Sequence, residues 1–163
     1  MDIYKATLVD SYLFTNFEIM AINTNIHFFF QCATVPLRER TRLKSFINKL
    51  FRKEHQKLKS LNYIFCTDKE LLNINRNYLK HDFYTDIISF DLSAVRGEMD
   101  AEIYISIDRV RENASAFKTS LKQELLRVIF HGALHLCGYD DKSSIEKDLM
   151  RKKEDYYIRT FQK

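Results

Sequence analysis

Two kinds of apolar periodicity alternate along this chain, and almost nothing in its composition interrupts them: the 163 residues include only 3 glycines and 1 proline. Apolar residues at every second position line one face of a strand, whereas recurrence every three or four positions lines one face of a helix. Ile26 to Phe30 is short, apolar and aromatic and predicts a strand. Tyr63 to Cys66 predicts a second. Asp86 to Leu92 predicts a third, with Ile88, Phe90 and Leu92 pointing inward, and Glu102 to Ile107 a fourth, with Ile103, Ile105 and Ile107 alternating. Residues 93–100 read as the turn joining these two as a hairpin.

Helical spacing fills the intervals. Pro36 suits a first helical turn, and Leu43, Phe46, Ile47, Leu50 and Phe51 then share a face. Thr67 with Glu70 is a capping-box pair, and Leu71, Ile74, Asn75 and Tyr78 follow on one face. A third helix spans about Asp108 to Phe117. Ser120 and Gln123 cap a fourth, whose apolar face is Leu121, Leu125, Val128, Ile129 and Leu136, with Gly138 at its stop. Ser143 and Glu146 cap a last helix that buries Ile145, Leu149, Tyr156 and Phe161. About four strands interrupted by about five helices predict an α/β fold of α+β type, a mixed sheet packed with helices.

The length suits one domain, assigned to residues 21–163, with residues 1–20, which show no clear period, as an N-terminal extension and Met20 as an alternative start. No apolar run approaches the roughly 20 residues that span a bilayer. The first residues lack the basic start, apolar stretch and cleavage site of a secretory signal, so the chain is expected in the cytoplasm. Cys32, Cys66 and Cys137 are odd in number and far apart, which argues against a disulfide framework and a zinc ribbon. Net charge is +4, concentrated in nine Lys/Arg between Arg38 and Lys59 against Glu39 and Glu54. Such a stripe suits a phosphate backbone; a solvated helix face explains it equally.

The segment with chemical content is HGALHLCGYDD, His131 to Asp141. Two histidines four apart on a helix project from one face and can take two corners of a tetrahedron, as in the zincin-type metal-site helix. Gly138 permits a sharp turn after the helix. Asp141 then returns as an oxygen ligand, with Asp140 as its competitor. Three protein ligands leave a fourth position for water, whose pKa zinc lowers to about 7. Gly132 stands where a zincin peptidase carries its Glu base, which weakens a peptidase reading, and its missing side chain lets another element approach the first ligand.

This segment resembles the signature H-G-x-L-H-L-x-G-Y-D-H of the YbeY family of bacterial endoribonucleases, or rRNA maturation factors. A second stretch, NRNYLKHDFYTDIISF from Asn75 to Phe90, is similar to the family's N-x-x-Y-R-x-x-D-x-P-T-D-V-L-S-F and keeps Asn75, Tyr78, Asp82, Thr85, Asp86, Ser89 and Phe90. GEMDAEIYISIDRV looks like the family's G-D-I-x-I-S segment. The resemblance runs from about Ile26 to the C-terminus. It departs at two positions: Asp141 stands where the family has a third His, and Leu79 where it has an Arg associated with the phosphate. Arg76 or Lys80 is either a substitute source of that charge or, as each reads singly, ordinary helix surface.

The resemblance implies a single-strand-specific, metal-dependent endoribonuclease. It would act in 3′-end maturation of small-subunit (16S) rRNA and in ribosome quality control. It implies one Zn2+ per chain on His131, His135 and Asp141. Ribosomal RNA, the small ribosomal subunit and ribosome-assembly proteins are the implied partners, and no membrane. Asp82, Thr85, Asp86 and Ser89 either support the ligands and face the substrate, or simply hold the turn before the strand. The basic helix is expected to line part of an RNA groove. No residue identifies itself as a general base. A metal-bound assembly factor that cuts little, and a hydrolase of another substrate such as a peptide, are the competing readings.

Overall fold

Five strands form one sheet in the order β1-β4-β5-β3-β2 in the computed structural model, which describes residues 3–5, 25–32 and 35–163. They are β1 (Ile3–Lys5), β2 (Ile26–Phe30), β3 (Leu58–Cys66), β4 (Ile87–Asp91) and β5 (Met99–Ser106). β4 and β5 form the expected antiparallel hairpin, and the other pairings are parallel. The four strands read from sequence are all present. β1 adds a fifth at the edge, inside the stretch assigned to an extension; the rest of residues 1–20 lies outside the described residues.

Among the described residues five α-helices pack with the sheet: α1 (Arg40–Lys53), α2 (Asp68–Ile74), α3 (Ile107–Ala116), α4 (Leu121–Leu136) and α5 (Ser144–Gln162). The anticipated caps at Thr67, Ser120 and Ser143 each accept from the backbone N–H three residues on. α1, α4 and α5 share one core with the sheet, joining Leu43, Ile47, Phe65, Ile87, Ile103, Ile105, Ile129 and Ile158. A smaller cluster on the other face contains Leu71 of α2, Cys66, Ile88 and Phe90. β4 is therefore covered on both sides. Ile87 serves one core and Ile88 and Phe90 the other, while Leu92, expected inside, lies beyond the strand and is 38% exposed.

Three further expectations fail for identifiable reasons. α1 starts at Arg40, not near Pro36, because Glu39 holds a left-handed φ of 54° that no right-handed helix can include. After α2 the chain widens into a π turn, Asn75–Leu79. Its wider period swings Tyr78 out to 63% exposure while Asn75 stays buried. In α5 the buried face is Met150, Glu154, Tyr157, Ile158 and Phe161, whereas Ile145 is 80% exposed and Leu149 and Tyr156 are also outside. No helix among the described residues is long and apolar enough to cross a membrane.

Candidate metal centre

From Glu124 to Leu136, α4 is buried all round except at Arg127, which makes it the central helix of the layer. Gly132 lets it lie against the sheet: a Cβ there would sit 2.6 Å from Ile87 Cδ1 and 3.1 Å from two atoms of Ile103. The close approach inferred from the missing side chain is thus an approach to β4 and β5. The helix ends at Cys137, and Gly138, at φ +95°, turns the chain back so that Tyr139 N donates to Leu134 O at 3.1 Å. Glu54, at the C-terminus of α1, pins this turn. It accepts from Tyr139 Oη at 2.7 Å and from Lys153 Nζ at 2.9 Å, and also from Tyr157 Oη.

One helical turn apart, the His131 and His135 rings meet edge-on, with centroids 4.4 Å apart, and their Nε2 atoms are separated by 2.9 Å. Each Nδ1 is committed elsewhere. His135 Nδ1 lies 2.7 Å from Tyr139 O, a carbonyl that can only accept, so that nitrogen carries the proton. His131 Nδ1 lies 2.5 Å from Glu154 Oε1, a carboxylate that accepts in the same way. In neutral imidazoles both Nε2 atoms then present lone pairs to each other, an arrangement that calls for a cation. Asp141 supplies negative charge beside them, 3.8 Å from His131 Nε2 and 3.9 Å from His135 Nε2. The three ligand atoms lie within 4.8 Å of one another, a group that could hold a metal ion. Zinc bonds of about 2.0–2.2 Å at tetrahedral angles separate ligand atoms by roughly 3.3–3.6 Å. The observed separations bracket that value. Burial, and then the neighbouring imidazole of His131, push the pKa of His135 down to about 4, which keeps it a neutral ligand near pH 7. Asp140 is exposed and outside the group.

Behind the histidines lies a charged network absent from the sequence reading. Arg127 faces three carboxylates: Glu124 at 2.6 Å, Asp86 at 3.5 Å and Glu154 at 3.6 Å. Asn113 Nδ2 also donates to Asp86, at 3.2 Å. Two cavities, of about 350 and 650 Å3, open on either side of the centre and share Asp86, Arg127, His131 and Asp141. Of the four lesser candidates, Asp86 lines both cavities and Thr85 the smaller. Asp82 lines neither and pairs with Arg76 at 2.5 Å on the surface. Ser89 is buried in β4, its Oγ without a hydrogen-bond partner among the described residues. Leu79 lines the smaller cavity, whereas Lys80 donates to Asn77 O and lines neither. The basic stripe is displaced too: no residue from Arg38 to Lys59 lines either cavity, and the exposed cations that do are Lys147 and Arg151 of α5. One signal for the missed residues stands in the sequence: Arg127 lies one turn before His131 on the same helix.

Fold and site together define an α+β protein with two imidazoles and a carboxylate that could hold one metal ion, beside two cavities that share His131 and Asp141. The family model described as Endoribonuclease YbeY matches residues 31–162. Endoribonuclease YbeY of Cytophaga hutchinsonii is 48% identical over 130 residues, 80% of this chain and 91% of that protein. The Flavobacterium psychrophilum protein of the same name is 48% identical over 125 residues, 77% of this chain and 89% of its own. The solution structure of TM1509 from Thermotoga maritima superposes with a TM-score of 0.56 at 27% identity, covering 83% of this chain and 88% of that one. The chain belongs to the YbeY endoribonuclease family.

Proposed function

We propose that this chain is a metal-dependent endoribonuclease for single-stranded RNA, with one Zn2+ held by His131, His135 and Asp141. The observation that carries the reading is the convergence of these side chains at the point where two open cavities meet. The family likeness supports a cytoplasmic role in 3′-end maturation of 16S rRNA and ribosome quality control, with the small ribosomal subunit and assembly proteins as partners.

When bound, a divalent ion supplies Lewis acidity toward a phosphoryl oxygen or toward water. The protein's own residues prepare the place for it. Tyr139 O and Glu154 hold each imidazole with Nε2 facing the centre. Arg127 fixes Asp86 and Glu154 relative to each other. Lys147 and Arg151 offer positive charge to the phosphates of a strand crossing the larger lobe. A peptidase reading gains nothing here, because Gly132 packs against Ile87 where a base would be required.

Purified protein should cut a single-stranded RNA, lose that activity in chelator and regain it with Zn2+. A His131→Ala, His135→Ala double variant that cuts as well as wild type would remove the nuclease claim. One observation favours the assembly-factor alternative: Leu79 puts an apolar side chain in the groove where the family has an Arg. Binding to small subunits without any cleavage would favour that alternative.

A further inference from the structure

The smaller cavity has an aromatic wall that the metal centre does not use. The π turn ends at Lys80, whose left-handed φ of 60° sends the chain into a short loop ahead of β4. That loop is held at its middle and at its far end. Buried Asn75 donates to Phe83 O at 2.8 Å, and Asp86 is held by Asn113 at 3.2 Å. On this frame the rings of His81 and Phe83 stack, with centroids 5.2 Å apart and planes 23° from parallel. Both line the cavity that leads to His131 and Asp141. Phe83 is 57% exposed and belongs to neither core cluster, so packing does not account for it.

We propose that the His81–Phe83 pair is a stacking platform for one base of single-stranded RNA, beside the scissile phosphate. The proposal rests on the endoribonuclease reading above and adds to it the subsite that selects an unpaired strand. Every base presents a π face, so aromatic side chains bind single strands with little regard to sequence. The cavity, about 350 Å3, is at the small end of the roughly 300–1,000 Å3 range of ligand pockets, a size that suits a single unpaired base. Its lining beside the rings, Asn75, Leu79 and Thr85, is uncharged and suits a base. The groove's exposed lysine and arginine, Lys147 and Arg151, line the larger lobe together with the exposed Asp155.

The test is single-turnover cleavage of a short single-stranded RNA by Zn2+-loaded protein, with an abasic residue moved along the strand, and strand binding followed by fluorescence anisotropy. Stacking on one aromatic side chain is worth on the order of tenfold in affinity. Phe83→Ala should therefore raise the half-saturating RNA concentration about tenfold, and Phe83→Trp should restore it. In wild type one abasic position next to the cut should weaken binding by a similar factor, and in Phe83→Ala that same position should have no further effect. Zinc content equal to wild type in the variants shows an intact centre. Wild-type binding by Phe83→Ala, or an abasic penalty of equal size in both proteins, overturns the platform and leaves the nuclease standing. Wild-type protein that neither binds nor cuts any single strand overturns both.

Discussion

Replacing Glu154 with Gln keeps the shape of the side chain that orients His131 and removes its charge. The carboxylate is 5% exposed, lies 2.5 Å from His131 Nδ1 and is shared with Arg127 at 3.6 Å. Two effects act on metal binding. The charge-assisted hydrogen bond becomes a neutral one, roughly half as strong, and the imidazole loses basicity at Nε2. The amide can also rotate and present its NH2 to Nδ1, which favours the tautomer that blocks the ligand atom. Loss of such a supporting carboxylate typically costs about 10–100-fold in metal affinity, or about 1.4–2.7 kcal/mol. Gln, which still fills the space, belongs near tenfold, and Glu154→Ala nearer a hundredfold. Competition for Zn2+ against a chromophoric chelator at constant pH measures the ratio. A urea titration of the metal-free forms separates affinity from folding, since Arg127 keeps Glu124 and Asp86 as partners. Zinc affinity of Glu154→Gln indistinguishable from wild type would refute the orienting role.

Three other outcomes follow from the same geometry. Asp141→Ala should lower zinc content more than Asp140→Ala, because only Asp141 belongs to the ligand group; elemental analysis in the reverse order would reassign the third ligand. Gly132→Ala places a methyl 2.6 Å from Ile87 Cδ1 inside the core and should destabilise by about 1–3 kcal/mol, read as a lower urea midpoint. His135 has a folded pKa of about 4 against 6.5 for the free imidazole, so the unfolded chain binds a proton that the folded chain refuses. Stability of the metal-free protein is then complete above pH 6.5 and is lost as pH falls toward 4, by up to about 3 kcal/mol. His135→Asn should flatten that part of the profile.

Local signals in the sequence transfer directly to the structure where the physics is local. Thr67, Ser120 and Ser143 cap helices because a hydroxyl and a backbone N–H three residues on need nothing else. His131 and His135 share a face for the same reason, and Gly138 turns the chain because it can take φ +95°. Legibility ends where a neighbour decides. In α5 the sequence offers two overlapping stripes, and contact with α4 and α1 selects the one containing Met150 and Ile158 over the one containing Ile145 and Leu149. The charged stripe of α1 shows which residues face solvent without showing which solvent-facing surface borders the site. Glu154 reads as an ordinary charge in MRKKEDYYIR until its neighbour across the interface is known to be His131.

The charges around the centre explain why metal and substrate should be coupled. Asp86, Glu124, Glu154 and Asp141 surround the histidines, and Arg127 is the cation among them. In a partly buried pocket that excess of carboxylate repels phosphate at short range, since Coulomb energies there are several times those in bulk water. The exposed cations of the larger lobe, Lys147 and Arg151, would hold a strand without drawing its phosphate to the centre. An ion between His131, His135 and Asp141 would offset most of that negative charge where a phosphate would approach the centre. Chelation should therefore weaken RNA binding as well as abolish cutting, and the weakening should be largest at low salt, where the repulsion is least screened.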